Sequence, residues 1–450
     1  GPAKLNGLQT EISLQGKLND NDTPKIEVSA TFGAKDFKQF GFDVSRFIDG
    51  NVRFDAQPLA DGSLKISVDL KDASLTIADL ALAKARGQPG SLSANVDFDG
   101  PVVNISGVEL SFGSVDLHGK LKYDVDKGLQ SADFSSFVLN EGDNASLQLS
   151  QLKNGYSLKL RGEQLDLKPL MARFFSLESG GTGGPRATSV KQRLLIDAKL
   201  DKALGFYRTT ALNLSADMDI SGDNLQKVAM QAQFGGTNSV SVTTNKVPDG
   251  RVMSVAFNDL GTLLRFVGVY PRLVGGQGSL VMKTNKARNE DVGTFSLRDF
   301  SIINEANVVQ ILGNDPQSRD RIAKENRVDF NQGQADFIRR PDRIEITRAV
   351  LDGNQMGGTM RGFIYTDAGQ YDLTGTYIPL FELNNAFQQI PIFGPLLGGR
   401  NGEGLIGITF AIRGPLSSPR FLVNPASILA PGVLRSLFEF RSKGQPSAPN

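Results

Sequence analysis

Apolar and polar residues alternate with a period of two in short runs along nearly the whole chain, and an extended β-sheet is the structure this period fits. Successive side chains of a strand point to opposite faces, so each run has one apolar face and one wet face. The runs include Ile12 and Leu14, Ile26 to Phe32, Leu64 to Leu70, Leu147 and Leu149, and Leu158 and Leu160. They continue through Leu212 and Leu214, Val240 and Val242, Ile344 and Ile346, and Ile408 to Ile412. Turn chemistry stands between them, as in Ala60-Asp61-Gly62, Phe98-Asp99-Gly100-Pro101, Lys153-Asn154-Gly155 and Pro248-Asp249-Gly250. The pattern predicts an antiparallel meander of roughly 25 to 30 strands.

A one-sided sheet of that extent has an apolar face to hide, and only a few short helical segments are available to cover it. A second sheet could pack against it, the sheet could close into a barrel, or it could curl around something else. With no Trp and 7 Tyr, the chain lacks the aromatic girdles of a lipid-facing outer-membrane barrel. The expected fold is therefore all-β dominated, a long antiparallel curled (taco-like) β-sheet trough with a few short amphipathic helices. An acyl chain is the natural filler of a continuous apolar gutter. The lining positions expected from the alternation are Ile12, Leu14, Val28, Phe54, Ile66, Val68, Leu147, Leu149, Leu158, Leu160, Leu212, Leu214, Val240, Val242, Ile344, Ile346, Ile408 and Phe410.

Helical spacing appears in a few places. Leu260, Leu263, Leu264 and Val267 follow i, i+3, i+4, i+7, with Gly268 placed to end the helix. Residues 169–177, 302–313 and 383–390 are further helix candidates. At the end of the chain, Val433, Leu434, Leu437 and Phe438 form an apolar helical face predicted to cap the trough or touch a membrane, with docking on the sheet's own end as the alternative. A carboxylate followed by apolar residues recurs at Asp43, Asp166, Asp259 and Glu382. It reads either as a capping carboxylate that opens a helix or as a duplicated strand-and-helix module. The run Ser179-Gly180-Gly181-Thr182-Gly183-Gly184-Pro185 reads as a linker. The expected organisation is an N-terminal β-groove module over 1–178, a flexible linker or loop over 179–189, a C-terminal groove module with short helices over 190–423, and terminal helices with a disordered tail over 424–450.

Little in the composition points to catalysis. The 49 Lys and Arg residues balance 48 Asp and Glu and are spread along the chain, which argues against a nucleic-acid partner. There is no Cys and a single His, His118, on the polar phase of a strand, so the chain offers no metal cage or thiolate and no cofactor is expected. Glycine-rich pieces such as Gly275-Gly276-Gln277-Gly278 lack the Lys-Ser or Lys-Thr of a phosphate loop and read as turns. No window of about 18 uninterrupted apolar residues is present. Gly1-Pro2 looks like a protease scar, so an export signal or anchor is expected upstream.

The last third of the chain carries a family resemblance. Phe257-Asn258-Asp259-Leu260-Gly261-Thr262-Leu263-Leu264-Arg265-Phe266, followed by Leu273-Val274-Gly275-Gly276, resembles the strand-helix-strand signature of the YhdP-type branch of the AsmA-like superfamily. So do Thr374-Gly375-Thr376-Tyr377-Ile378-Pro379, Ile390-Pro391-Ile392-Phe393-Gly394-Pro395 and the ending Ile412-Arg413-Gly414-Pro415-Leu416 to Ala430-Pro431-Gly432. The resemblance covers roughly residues 257–440. It implies a periplasmic groove protein, anchored in the inner membrane by a segment outside this sequence, that moves phospholipids between the inner and outer membranes and has no catalytic residues. A structural or chaperone role in outer-envelope assembly is the alternative expectation.

Overall fold

The computed structural model describes residues 1–5, 8–15, 25–40, 44–45, 47–77, 80–175, 192–221, 224–285, 287–304, 326–353, 356–379, 407–416 and 418–424. Strand makes up 72% of it and helix 7%, too little helix to cover the sheet. The 26 strands belong to a mixed sheet that does not close into a barrel. Contacts divide the chain into two compact units, one built from β1 to β15 and the other from most of β16 onward.

In the first unit the order is β1 (Pro2–Leu5), β2 (Leu8–Gln15), β3 (Lys25–Gly33), β4 (Ile48–Pro58), β5 (Leu64–Asp69), β6 (Ala73–Ile77) and β7 (Leu82–Lys84). There follow β8 (Ser91–Asp99), β9 (Val102–Phe112), β10 (Val115–Asp124), β11 (Gly128–Val138), β12 (Asn144–Leu152) and β13 (Gly155–Asp166). Helix α1 (Lys168–Phe175), β14 (Arg193–Leu204) and β15 (Thr210–Ser221) complete it. Neighbours in sequence pair as antiparallel hairpins except at the step from β13 to β14 and at one excursion, in which β6 and β7 branch from β4 while β5 pairs with β8. The expected turns are where the sequence put them. Between β4 and β5, Gly62 adopts φ 86° and the Asp61 carboxylate accepts from the backbone and hydroxyl of Ser63 at 3.0 and 2.6 Å.

The second unit runs from β16 (Asn224–Gln233) through β17 (Ser239–Val247), β18 (Gly250–Phe257), helix α2 (Leu260–Phe266), β19 (Leu273–Asn285) and β20 (Glu290–Ile303). It continues with β21 (Arg327–Arg339), β22 (Arg343–Asp352), β23 (Met356–Tyr365), β24 (Gln370–Pro379), β25 (Ile408–Pro415) and β26 (Arg420–Asn424). Among the described residues every pairing within this unit joins consecutive strands in antiparallel register.

Three expectations need correction. The sheet is not wholly antiparallel, because β13 and β14 run parallel with Gly155 beside Arg193 and Asp166 beside Leu204. A parallel step needs a crossover of a dozen or more residues, and the stretch from Asp166 to Arg193 supplies that length. Gly275 and Gly276 are not a turn but lie inside β19 with φ 71° and 96°. A Cβ on Gly276 would meet Leu297 Cδ1 at 2.8 Å, so glycine there lets β19 pass close under its neighbours. Ile302 and Ile303 end β20 and do not begin a helix; the rest of 302–313, like 179–189, 383–390 and 425–450, lies outside the described residues.

Of the recurring carboxylates, Asp259 is an N-cap. Its Oδ1 accepts from the Thr262 amide at 2.9 Å and its Oδ2 from the Thr262 hydroxyl at 2.7 Å, while Gly268 follows the last turn at φ 78°. Asp166 accepts from the Lys168 amide at 2.9 Å as α1 begins. Asp259→Ala should cost α2 about 1 kcal/mol, seen as roughly fivefold faster amide exchange confined to that helix; unchanged exchange would deny the cap its role.

Candidate functional site

Side chains directly opposite one another on neighbouring strands share a face, so the ladder register shows which residues lie together. In the first unit, Leu64 stands opposite Val96, Val96 opposite Ile105, Ile105 opposite Leu121 and Leu121 opposite Ala132. The row goes on through Leu149, Leu158, Ile196 and Met218. It crosses nine strands, from β5 to β15, without a polar side chain. An adjacent row runs from Ala30 through Phe54, Val68, Leu92 and Leu110 to Leu117 and Phe137. The intervening positions carry the opposite face, where Lys120, Asp133, Gln148, Lys159 and Asp197 follow one another in register. There Arg161 pairs with Asp197 at 2.6 Å.

The second unit repeats the arrangement. Val242, Val255, Leu280, Phe295 and Ala335 are consecutive partners, and the row continues through Ala349, Met360, Gly375, Phe410 and Val423. A parallel row holds Met253, Met282, Gly293, Phe337, Ile346 and Gly362 before Leu373, Ile412 and Phe421. Phenylalanine rings lie across the glycines: a Cβ on Gly293 would meet Phe337 Cζ at 2.3 Å, and one on Gly375 would meet Phe410 Cζ at 2.5 Å. At one end α2 sits over this face, with Leu260 buried and Phe266 edge-on to Phe234 at 5.3 Å. Phe257 and Phe295 stack nearby, their centroids 6.1 Å apart.

Much of this surface is neither core nor free surface. Leu64, Ile105, Leu121, Leu149, Leu158, Ile196, Val255, Leu280 and Phe295 are half-buried between their strand neighbours, whereas Val96, Ala132, Val242 and Phe410 of the same rows are buried. Ile12, Ile26 and Leu351 are exposed. Beside these open stretches is a closed core in the first unit, where Val52, Val68, Leu70 and Ala73 pack with Phe37, Ile48 and Phe54.

The positions singled out in the sequence divide accordingly. Ile12, Val28 and Ile66 share a row through Ala56, and Leu147 faces Leu160 as Leu149 faces Leu158. Leu214 faces Leu200, whereas Leu212 stands opposite Lys202, because the backbone at Asn213 takes φ 50° and the buried phase switches to Ala211. Val240 faces Phe257, Ile408 faces Tyr377, and Ile344 lies at the edge of the face between Arg339 and Ile364. The Leu14 side chain and Val433, Leu434, Leu437 and Phe438 lie outside the described residues. Val96, Ile105, Leu121, Ile196, Val255 and Phe337 belong to the face and were not singled out, although the same alternation marks them.

His118 lies on the opposite face, 3.0 Å from the Asp116 carboxylate. Among the described residues no group of His, Cys, Asp or Glu is placed to hold a metal ion, and no helix is long and apolar enough to cross a membrane. Comparison with family models, curated proteins and solved structures finds no match for the chain.

Proposed function

We propose that the chain binds phospholipid acyl chains along its apolar sheet face and serves as part of a bridge that carries phospholipids through the periplasm between the inner and outer membranes. The observation that carries this reading is the unbroken apolar rows, nine strands wide in the first unit and ten in the second, in which many of the larger side chains are only half-buried. Each methylene moved from water onto such a surface gains about 0.8 kcal/mol. The chemistry asks nothing of particular residues beyond their hydrocarbon, which suits a cargo that slides. The YhdP-type resemblance of the last third supports the same assignment and supplies the compartment.

Organic extraction and mass spectrometry of the purified chain test the binding step. Phospholipid is expected in the extract, and refolding from denaturant without lipid should yield a protein that takes it up again from vesicles. An extract free of lipid together with no uptake would remove the proposal; copurifying peptide would favour a scaffold for envelope proteins.

A further inference from the structure

The apolar face of the second unit is polarised along its strands. One end carries α2 and stacked aromatic rings, whereas the other ends at the hairpin between β17 and β18. There Lys246 and Arg251 stand directly opposite each other. Both continue the apolar phase, Lys246 after Val242 and Thr244, Arg251 before Met253 and Val255. Like charges placed directly opposite are destabilising, and neither side chain has an ion pair or hydrogen bond among the described residues.

The neighbouring carboxylates are engaged or turned to solvent. Beyond Arg251 the row reaches Thr284, whose hydroxyl donates to Asp291 at 2.5 Å, and Asp291 also accepts from Arg339 at 2.6 Å. Asp249 sits exposed in the turn between the two cations and makes no ion pair among the described residues. The pair is left as an unneutralised double positive charge at the margin of hydrocarbon. Immediately below it Met253 faces Met282, both half-buried. Thioether side chains adapt their shape to what lies on them.

We propose that Lys246 and Arg251 take the phosphate of a phospholipid whose acyl chains lie over Met253, Met282, Val255 and Leu280 and point toward α2. This inference rests on the lipid-binding reading and gives the bound lipid an orientation. The six residue steps from Arg251 to Phe257 span roughly 20 Å of strand. That exceeds the roughly 15 Å that the chains of one leaflet occupy in a bilayer core about 30 Å thick. Phosphate between two cations forms charge-assisted hydrogen bonds and removes their repulsion together.

The test compares the whole chain with its K246Q/R251Q variant against three probes: a soluble short-chain phosphatidylglycerol, the matching diacylglycerol without phosphate, and inorganic phosphate. The variant should bind the phospholipid about tenfold more weakly, bind the diacylglycerol as the parent does, and melt at the same or a higher temperature because a repulsive pair is gone. In the parent, phospholipid binding should weaken with added salt. Undiminished phospholipid binding by a folded variant overturns the inference and leaves the lipid-binding reading standing. Inorganic phosphate held as tightly as the phospholipid also overturns it, since the site would then be a free-anion site. A parent that binds neither lipid probe removes both readings at once.

Discussion

Leu158→Glu is expected to leave the protein folded and strip it of lipid. Leu158 sits inside the nine-strand row, between Leu149 and Ile196, and is only half-buried. Water can reach a carboxylate there, so the folding cost should stay near 1–2 kcal/mol. A bound acyl chain would lie against an ionised group in hydrocarbon, which is unfavourable by several kcal/mol, so lipid content should fall at least tenfold. Lys159→Glu, one residue along and on the wet face, should keep its lipid and lose no more than about 1 kcal/mol, since the new carboxylate stands opposite Asp197. Val68→Glu is a different case, although Val68 follows the same alternation. It is 8% exposed inside the closed core of the first unit, and a charge there should unfold that region outright. Melting curves and lipid content of the three variants separate the cases; Leu158→Glu that retains its full lipid complement would show that this row is not where the chains lie.

Lys84→Met should destabilise the first unit by roughly 1–3 kcal/mol, an effect that no function requires. Lys84 is 2% exposed at the end of the short strand β7, and its ammonium donates to the carbonyls of Leu70 at 2.6 Å, Ala73 at 2.8 Å and Ala85 at 3.2 Å. Burial pushes its pKa below the ordinary lysine value, while Asp69 and Asp72 pull it back. Methionine matches the stem but takes the ammonium away from three carbonyls; those of Leu70 and Ala85 still accept from the amides of Ala73 and Gln88, so the loss is that of charge-assisted bonds, about 1–3 kcal/mol together. Gly90→Ala tests the same contact from the other side, because its Cβ would stand 2.7 Å from Lys84 Cε. Urea unfolding followed by amide exchange in β5 to β8 reads both changes. A Lys84→Met protein within about 0.5 kcal/mol of the parent would mean that the ammonium only fills space.

The period-two signal carried the strands, and Asp61-Gly62, Asp99-Gly100, Asn154-Gly155 and Asp249-Gly250 carried the turns between them, because both rules act within a few residues. Helix α2 with its Asp259 cap was legible for the same reason. What escaped depends on partners far along the chain. The parallel step from β13 to β14 leaves no local mark, and neither does the pairing of β5 with β8 across the β6–β7 branch. Phase is lost at irregularities such as Asn213 and the bulge opposite Ser93 and Asn95. Alternation therefore located the apolar face but did not say which of its residues are open, as Leu158 is, and which are sealed, as Val68 is. Lys246 and Arg251 could have been noticed as cations on the apolar phase beside a turn, yet only the register shows them opposed.

Because every pairing among the described residues of the second unit links consecutive strands, each strand there depends mainly on its two neighbours. Such a ladder behaves as a one-dimensional array, in which stability is a sum of nearest-neighbour terms and a lesion spreads only as far as adjoining rungs. Contacts of low sequence separation also allow it to zip from any hairpin that forms first. Gain or loss of a hairpin then changes length without rebuilding a core, so evolution can set the reach of such a structure in steps of two strands, about 10 Å each.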